Sequence, residues 1–245
     1  MNLNYISLGL DYNTYINENN ELRYSFQQHT NFINDYFSKK IRKLKYKTDG
    51  SFNMLAISVT EFEIKDTSIV PDKALKTNLT FDKAKYDKIK GTNDCSYYLE
   101  LIENGFKKAN RFKPIPLNDL LQIIQEFKDG DCKNEWQHKK KRSKNDDIEV
   151  ILTCQFTTNY FQLIITINQI STKQELAKGV IIKTETGVSI HEGMFKDIVI
   201  DKDILITDKS DSPRIRINKK AIFKGELKFN LIGDKETKKI LSYNL

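Results

Sequence analysis

The sequence predicts an α+β fold, with strands plus about three amphipathic helices in the N-terminal half and mostly antiparallel β-sheet in the C-terminal half. Three observations carry this. Residues 148–156 and 160–168 each alternate apolar with polar side chains, and a polar link, 157–159, separates them. Upstream, three stretches repeat apolar residues at helical spacing. Downstream, short apolar runs recur between turn-forming residues.

The paired runs are the centre of the reading. Ile148, Val150, Leu152, Cys154 and Phe156 share one side of the first arm; Phe161, Leu163, Ile165 and Ile167 share one side of the second. Successive side chains of a strand point to opposite faces, so the pattern describes an antiparallel hairpin with one buried face.

From the start of the chain, residues 3–12 read as an opening strand, with Ile6, Leu8, Leu10 and Tyr12 on one side. A polar turn follows at 17–20. Ser25 and Gln28 have the spacing of a capping box, and the helix after them carries Phe26, Ile33, Tyr36, Phe37 and Ile41 on one stripe, ending before Lys45. Residues 42–47 alternate, and Asp49-Gly50 is a two-residue hairpin signal. A return strand over 52–64 would complete a ribbon with Lys43, Lys45 and Lys47 on its outer face. Residues 70–90 are charged and irregular, with room for one short strand or helix.

Asp94 is placed to cap a second helix running to about Asn110, with Tyr98, Leu101, Ile102, Phe106 and Ala109 on its apolar side. Pro114 and Pro116 separate it from a third helix, because proline is accepted in a first helical turn. Leu117, Leu120, Leu121, Ile124 and Phe127 line that helix, and Gly130 stands at its end. Composition then breaks sharply. The expected organisation is a mixed α/β region over 1–130, a basic linker over 131–147, and an antiparallel β region over 148–245, with a shared core as the alternative. Beyond the hairpin, strands are expected at 179–184, 198–200, 204–207, 215–218 and 225–231, with a loop over 183–196.

Chemistry is sparse. Cys95, Cys132 and Cys154 are odd in number and widely spaced, which argues against a disulfide framework. Only His29, His138 and His191 are present, and none forms a zinc spacing with cysteine. Glu135 and His138 have a Glu-x-x-His spacing, but the second such motif of a di-metal bundle is missing. Cys132 with His138 lacks an orienting third group. The ten glycines are scattered, so neither a phosphate loop nor a dinucleotide fingerprint exists. No catalytic residue, metal or cofactor is expected.

The formal charge of +7 and a pI near 9.0 allow an anionic partner without requiring one. The N-terminus lacks a basic and apolar leader pattern, and no apolar run approaches the ~20 residues that cross a bilayer. A cytoplasmic chain without a membrane partner is therefore expected. Positive charge concentrates at 39–47 and 139–144, and the second cluster follows Trp136, the single tryptophan.

Elimination favours a non-catalytic protein-binding module of bacterial type. Its expected contact residues are Trp136, His138, Lys139, Lys140, Lys141, Arg142, Lys43, Lys45 and Lys47. In kind, not in motif, it resembles immunity proteins that neutralise a toxin by covering its active site. The alternative is a nucleic-acid-binding protein that uses both basic clusters. A third reading is a metal-dependent nuclease built on Glu63-x-Lys65, with Glu226-x-Lys228 as a second such triplet.

Overall fold

An alternating strand opens the chain as expected, but its partner lies in parallel. In the computed structural model, which describes residues 1–187 and 194–243, β1 (Tyr5–Leu10) pairs with β2 (Met54–Thr60), and β2 with β4 (Ala74–Thr80), all parallel. The short β3 (Ser68–Val70) adds antiparallel to β4, so the order is β1-β2-β4-β3. Ile6, Leu8, Leu10, Leu55, Ile57, Val59 and Leu75 make the buried face. Parallel register explains why the ribbon expected over 42–64 does not form. Arg42, Lys43 and Leu44 instead complete a helix, and Lys45 ends it in a left-handed conformation (φ 52°). A parallel neighbour needs a crossover, and that helix is the crossover.

The helix is α2 (Asn20–Leu44), preceded by α1 (Tyr12–Glu18). It starts six residues earlier than the Ser25–Gln28 spacing suggests. Asn19 caps it, accepting from Leu22 N at 3.0 Å, and Ser25 Oγ instead meets the Tyr86 hydroxyl at 2.9 Å. One side of α2 buries Phe26, Ile33, Phe37 and Ile41. A second, polar stripe of Thr30, Asn34 and Ser38 lies along the outer edge of β1. Ser38 Oγ accepts from Ile6 N (3.1 Å) and donates to Ile6 O (3.3 Å). Asn34 accepts from Leu8 N (2.8 Å) and donates to Leu8 O (3.2 Å). Thr30 Oγ1 also donates to Leu8 O at 3.3 Å. Three side chains spaced by four residues thus occupy the place of a neighbouring strand.

Residues 70–90, expected to be irregular, hold the end of β3, all of β4 and α3 (Lys83–Ile89). The two later helices form as read. α4 (Ser96–Phe112) buries Tyr98, Leu101, Ile102, Phe106 and Ala109; α5 (Leu117–Asp129) buries Leu120, Ile123, Ile124 and Phe127. Asp94 does not cap α4 as its N-cap residue. That position is Cys95, and the Asp94 carboxylate accepts from Ser96 N at 2.8 Å. α4 lies close on the sheet: a Cβ at Gly105 would meet Ile57 at 2.5 Å. The α4–α5 pair brings the start of one helix beside the end of the other. Cys95 and Cys132, 37 residues apart, form a disulfide there, contrary to the expectation from their spacing. Cys154 is free and buried, as its place on the hairpin's apolar side implied.

The chain divides into two compact units, one of Met1–Asn134 with Thr157–Asn159 and one of Glu135–Phe156 with Tyr160–Leu245. The second contains two antiparallel sheets. In one, the hairpin of β6 (Ile148–Phe156) and β7 (Phe161–Gln169) has the expected arms, with Phe156 opposite Phe161. β8 (Glu175–Thr184) extends it on one side. β5 (Asn134–Ser143) extends it on the other, so the stretch read as a basic linker carries an outer strand. The other sheet has the order β12-β11-β10-β9, built from β9 (Asp197–Ile200), β10 (Ile204–Thr207), β11 (Pro213–Ile217) and β12 (Phe229–Leu231). Residues 219–222, between two expected strands, form a short helix, α6, and the last strand, expected over 225–231, is confined to Phe229–Leu231. A terminal helix, α7 (Lys235–Leu241), was not expected at all. Phe161 and Phe195 stack at 6.1 Å in the apolar interior of this unit.

Candidate partner-binding site

The expected contact residues on β5 have neighbours of their own. Trp136 is half-buried, its ring 6.3 Å from Phe161. His138 packs edge-on to Phe195 and bonds the Phe195 carbonyl through Nε2. A carbonyl only accepts, so Nε2 carries the proton. Glu135 and His138 are three apart on a strand and point to opposite faces, which removes a shared ligand role. Lys139 pairs with Asp197 (3.3 Å), Lys140 with Glu149 (2.8 Å), and Arg142 with the same Glu149. Hydrogen bonds from Lys140 and Arg142 hold the Glu149 carboxyl below its usual range. Lys141 has no ion pair among the described residues. Charge on an outer strand discourages pairing with other chains, which accounts for this lysine run.

Lys43, Lys45 and Lys47 lie in the first unit, exposed at and just beyond the end of α2; Lys47 forms an isolated bridge with Asn2. The structure places them and the β5 residues in separate units. His29 is half-buried, its Nδ1 2.9 Å from the Tyr86 hydroxyl. His191 lies outside the described residues. Glu63 and Lys65 sit in the exposed segment between β2 and β3 rather than on a strand. Glu226 and Lys228 are also off the strands and pair with each other at 2.5 Å. Neither triplet has the strand placement the nuclease reading needs.

Among the described residues, a dense polar constellation lies elsewhere, toward the carboxyl ends of the parallel strands, where ligands of open α/β sheets bind. Asp11 follows β1 and is 5% exposed. Its Oδ2 accepts from Lys76 Nζ (2.7 Å) on β4 and from Ser58 Oγ (3.0 Å) on β2. Its Oδ1 caps α1, accepting from Thr14 N (3.0 Å) and Thr14 Oγ1 (2.8 Å). Burial alone would raise the carboxyl pKa, but the Lys76 and Thr14 hydrogen bonds outweigh it and hold it far below the usual range. A carboxylate so reluctant to take a proton is a poor general base, and Ser58 donating to it is not activated. The arrangement is a clamp joining the end of β1 to β2, β4 and a helix start.

Exposed apolar side chains follow both β1 and β2. Tyr12 (57% exposed) and Ile16 lie four residues apart on α1; Phe62 (51% exposed) and Ile64 follow β2. Tyr15 links the two stretches. Its ring meets Phe62 edge-on at 5.9 Å, and its hydroxyl accepts from Glu61 N at 3.1 Å and donates to Glu61 Oε2 at 3.3 Å. The Arg23 guanidinium lies 5.1 Å from the centre of the Tyr12 ring. An open acidic hollow adjoins, lined by Glu61, Asp82 and Asp87 with Lys83. Sequence reasoning missed this site. The available signal was Asp11 directly after an alternating strand and three residues before Thr14, an N-cap spacing.

No protein-family model matches the chain, and no curated protein or solved structure is similar enough to it to count as a match.

Proposed function

We propose that the chain is a protein-binding module of the immunity kind, working by covering a partner protein such as a toxin rather than by catalysis. The surface supporting this reading is the carboxyl end of the parallel sheet. Its carrying observation is that exposed Tyr12 and Ile16 on α1 and exposed Phe62 and Ile64 after β2 belong to two stretches that Tyr15 joins, next to the rigid Asp11 clamp in the chain. Aromatic anchors on a preorganised base, bordered by charge, are what tight protein interfaces use. Trp136 and His138, packed on Phe161 and Phe195, serve this reading less well as anchors.

The test is affinity capture from native lysate at moderate salt, using the intact chain and a Tyr12→Ala/Phe62→Ala variant. A protein held by the wild type and lost by the variant supports the reading. Equal capture by both, or no captured protein, removes it. Binding of single-stranded nucleic acid that falls steeply with salt, and is abolished when Lys43, Lys45 and Lys47 are neutralised, would replace it.

Cytoplasmic residence is part of the same proposal, and Cys95–Cys132 tests it, because cytosolic thiols are kept reduced. Alkylation of the denatured native-source protein labels Cys95, Cys132 and Cys154 if the chain is cytosolic. Labelling of Cys154 alone points to an oxidising compartment.

A further inference from the structure

We propose that the cavity between the last turn of α4 and the start of β3 binds an organic oxyanion, a carboxylate or phosphate carried on a flat apolar group. The cavity measures about 520 Å³ and is lined by Asp66, Thr67, Lys108, Arg111 and Phe112. It is separate from the Asp11 clamp and independent of the protein-binding reading.

Two cations on one helix face it. Lys108 and Arg111 are three residues apart, a spacing that places side chains side by side. The Lys108 ammonium donates one hydrogen bond to Asn78 O at 2.7 Å, which fixes its position and leaves two protons to give. Arg111 has no ion pair among the described residues and presents a planar fork suited to a two-oxygen anion. Its place near the end of α4 also offsets the helix dipole, which accounts for a cation there but not for the rest of the cavity.

The opposite wall is held from behind. Asn78 is 4% exposed, and its side-chain amide donates to Lys65 O (3.1 Å) and Asp66 O (3.2 Å), fixing the segment that carries Thr67. One residue on β4 therefore positions both the lysine on one wall and the backbone of the other. The Thr67 hydroxyl is buried without a hydrogen-bond partner. Such a group is costly to leave unpaired, and an oxyanion bound beside Thr67 would give its hydroxyl an acceptor. The Phe112 ring, 49% exposed, supplies the apolar surface for the body of the ligand. Asp66 sets the charge preference: beside two cations, its carboxylate tolerates one ligand charge better than two.

The probes are para-fluorobenzoate, observed by fluorine NMR, and phenyl phosphate as its competitor, with the full chain. The wild type binds both, benzoate more tightly. Arg111→Gln, on an exposed helix position, weakens both by roughly tenfold while circular dichroism stays unchanged. Thr67→Val weakens binding without lowering the melting temperature. Asp66→Asn tightens binding, and more for phenyl phosphate than for benzoate. Absence of binding by either probe, equal affinity in Arg111→Gln, or weakened phenyl phosphate binding in Asp66→Asn overturns the proposal.

Discussion

β1 and β5 are both outer strands, and each must keep its free edge from recruiting another chain. β1 is sealed from inside: Thr30, Asn34 and Ser38 of α2 bond the outward amides and carbonyls of Ile6 and Leu8. β5 is guarded from outside by Lys139, Lys140, Lys141 and Arg142, three of them paired with Asp197 or Glu149. The difference is one of burial. Thr30 and Ser38 are buried, so their seal bonds replace water that cannot return; on β5 the Lys139, Lys140 and Arg142 side chains stay 37–61% exposed, although Glu149, which two of them share, is buried. Equal jobs on an edge can therefore carry very unequal stability.

The sharpest test of the contrast is at the end of β1. Asp11→Ala leaves Lys76, Ser58 and the Thr14 amide without their acceptor, and is expected to cost about 3 kcal/mol, read as a lower urea midpoint. Within the seal, Ser38→Ala leaves both polar groups of Ile6 without their side-chain partner and should cost about 2 kcal/mol, and Asn34→Ala, which strands the Leu8 amide while Thr30 still reaches the Leu8 carbonyl, about 1–2 kcal/mol. On β5, replacing Lys139 and Lys141 with glutamine, which leaves the Glu149 pairs intact, should change stability by under about 1 kcal/mol while increasing concentration-dependent association, read by light scattering. Equal losses at the two edges would break the comparison.

Acid separates them more gently. Burial, helped by Lys90, lowers the pKa of His29, which anchors α2 through Tyr86. A histidine lowered on folding contributes stability that is present above its unfolded value of 6.5 and lost as pH falls through the folded value. Glu149 on the β5 side is lowered from 4.5, so its contribution survives to more acid conditions and is lost only as pH falls through the carboxylate range. Thermal melts below neutrality should therefore show a first loss that His29→Gln removes and Glu149→Gln does not.

The same pair of strands shows what the sequence makes legible. The β6–β7 hairpin was readable because its partners adjoin, and the period of two fixes which residues face inward. α4 and α5 were readable for the corresponding reason at helical period. β1 was recognised as a strand, but its parallel partner lies beyond a helix of 25 residues, and nothing local announces that pairing. The alternation in 42–47 was too short to separate a strand from a helix end. The lysine run of β5 resembled a linker because a guarded edge and a solvated loop share a composition. The Thr30, Asn34 and Ser38 stripe is polar, so a search for apolar faces passes over it. The candidate site was hidden likewise: Asp11, Ser58 and Lys76 come from three strands and meet only in three dimensions. The disulfide depends on two helices folding back, which spacing alone does not encode.

The side chains that close the margin of β1 also decide how that margin breathes. Amide protons of Ile6 and Leu8 are bonded to Ser38 and Asn34, not to backbone, so their exchange with deuterium reports the departure of α2 rather than fraying of the strand. Strand and helix must open together, which gives the segment up to Leu44 a shared lifetime and leaves few half-open forms for a protease or a stray chain to seize.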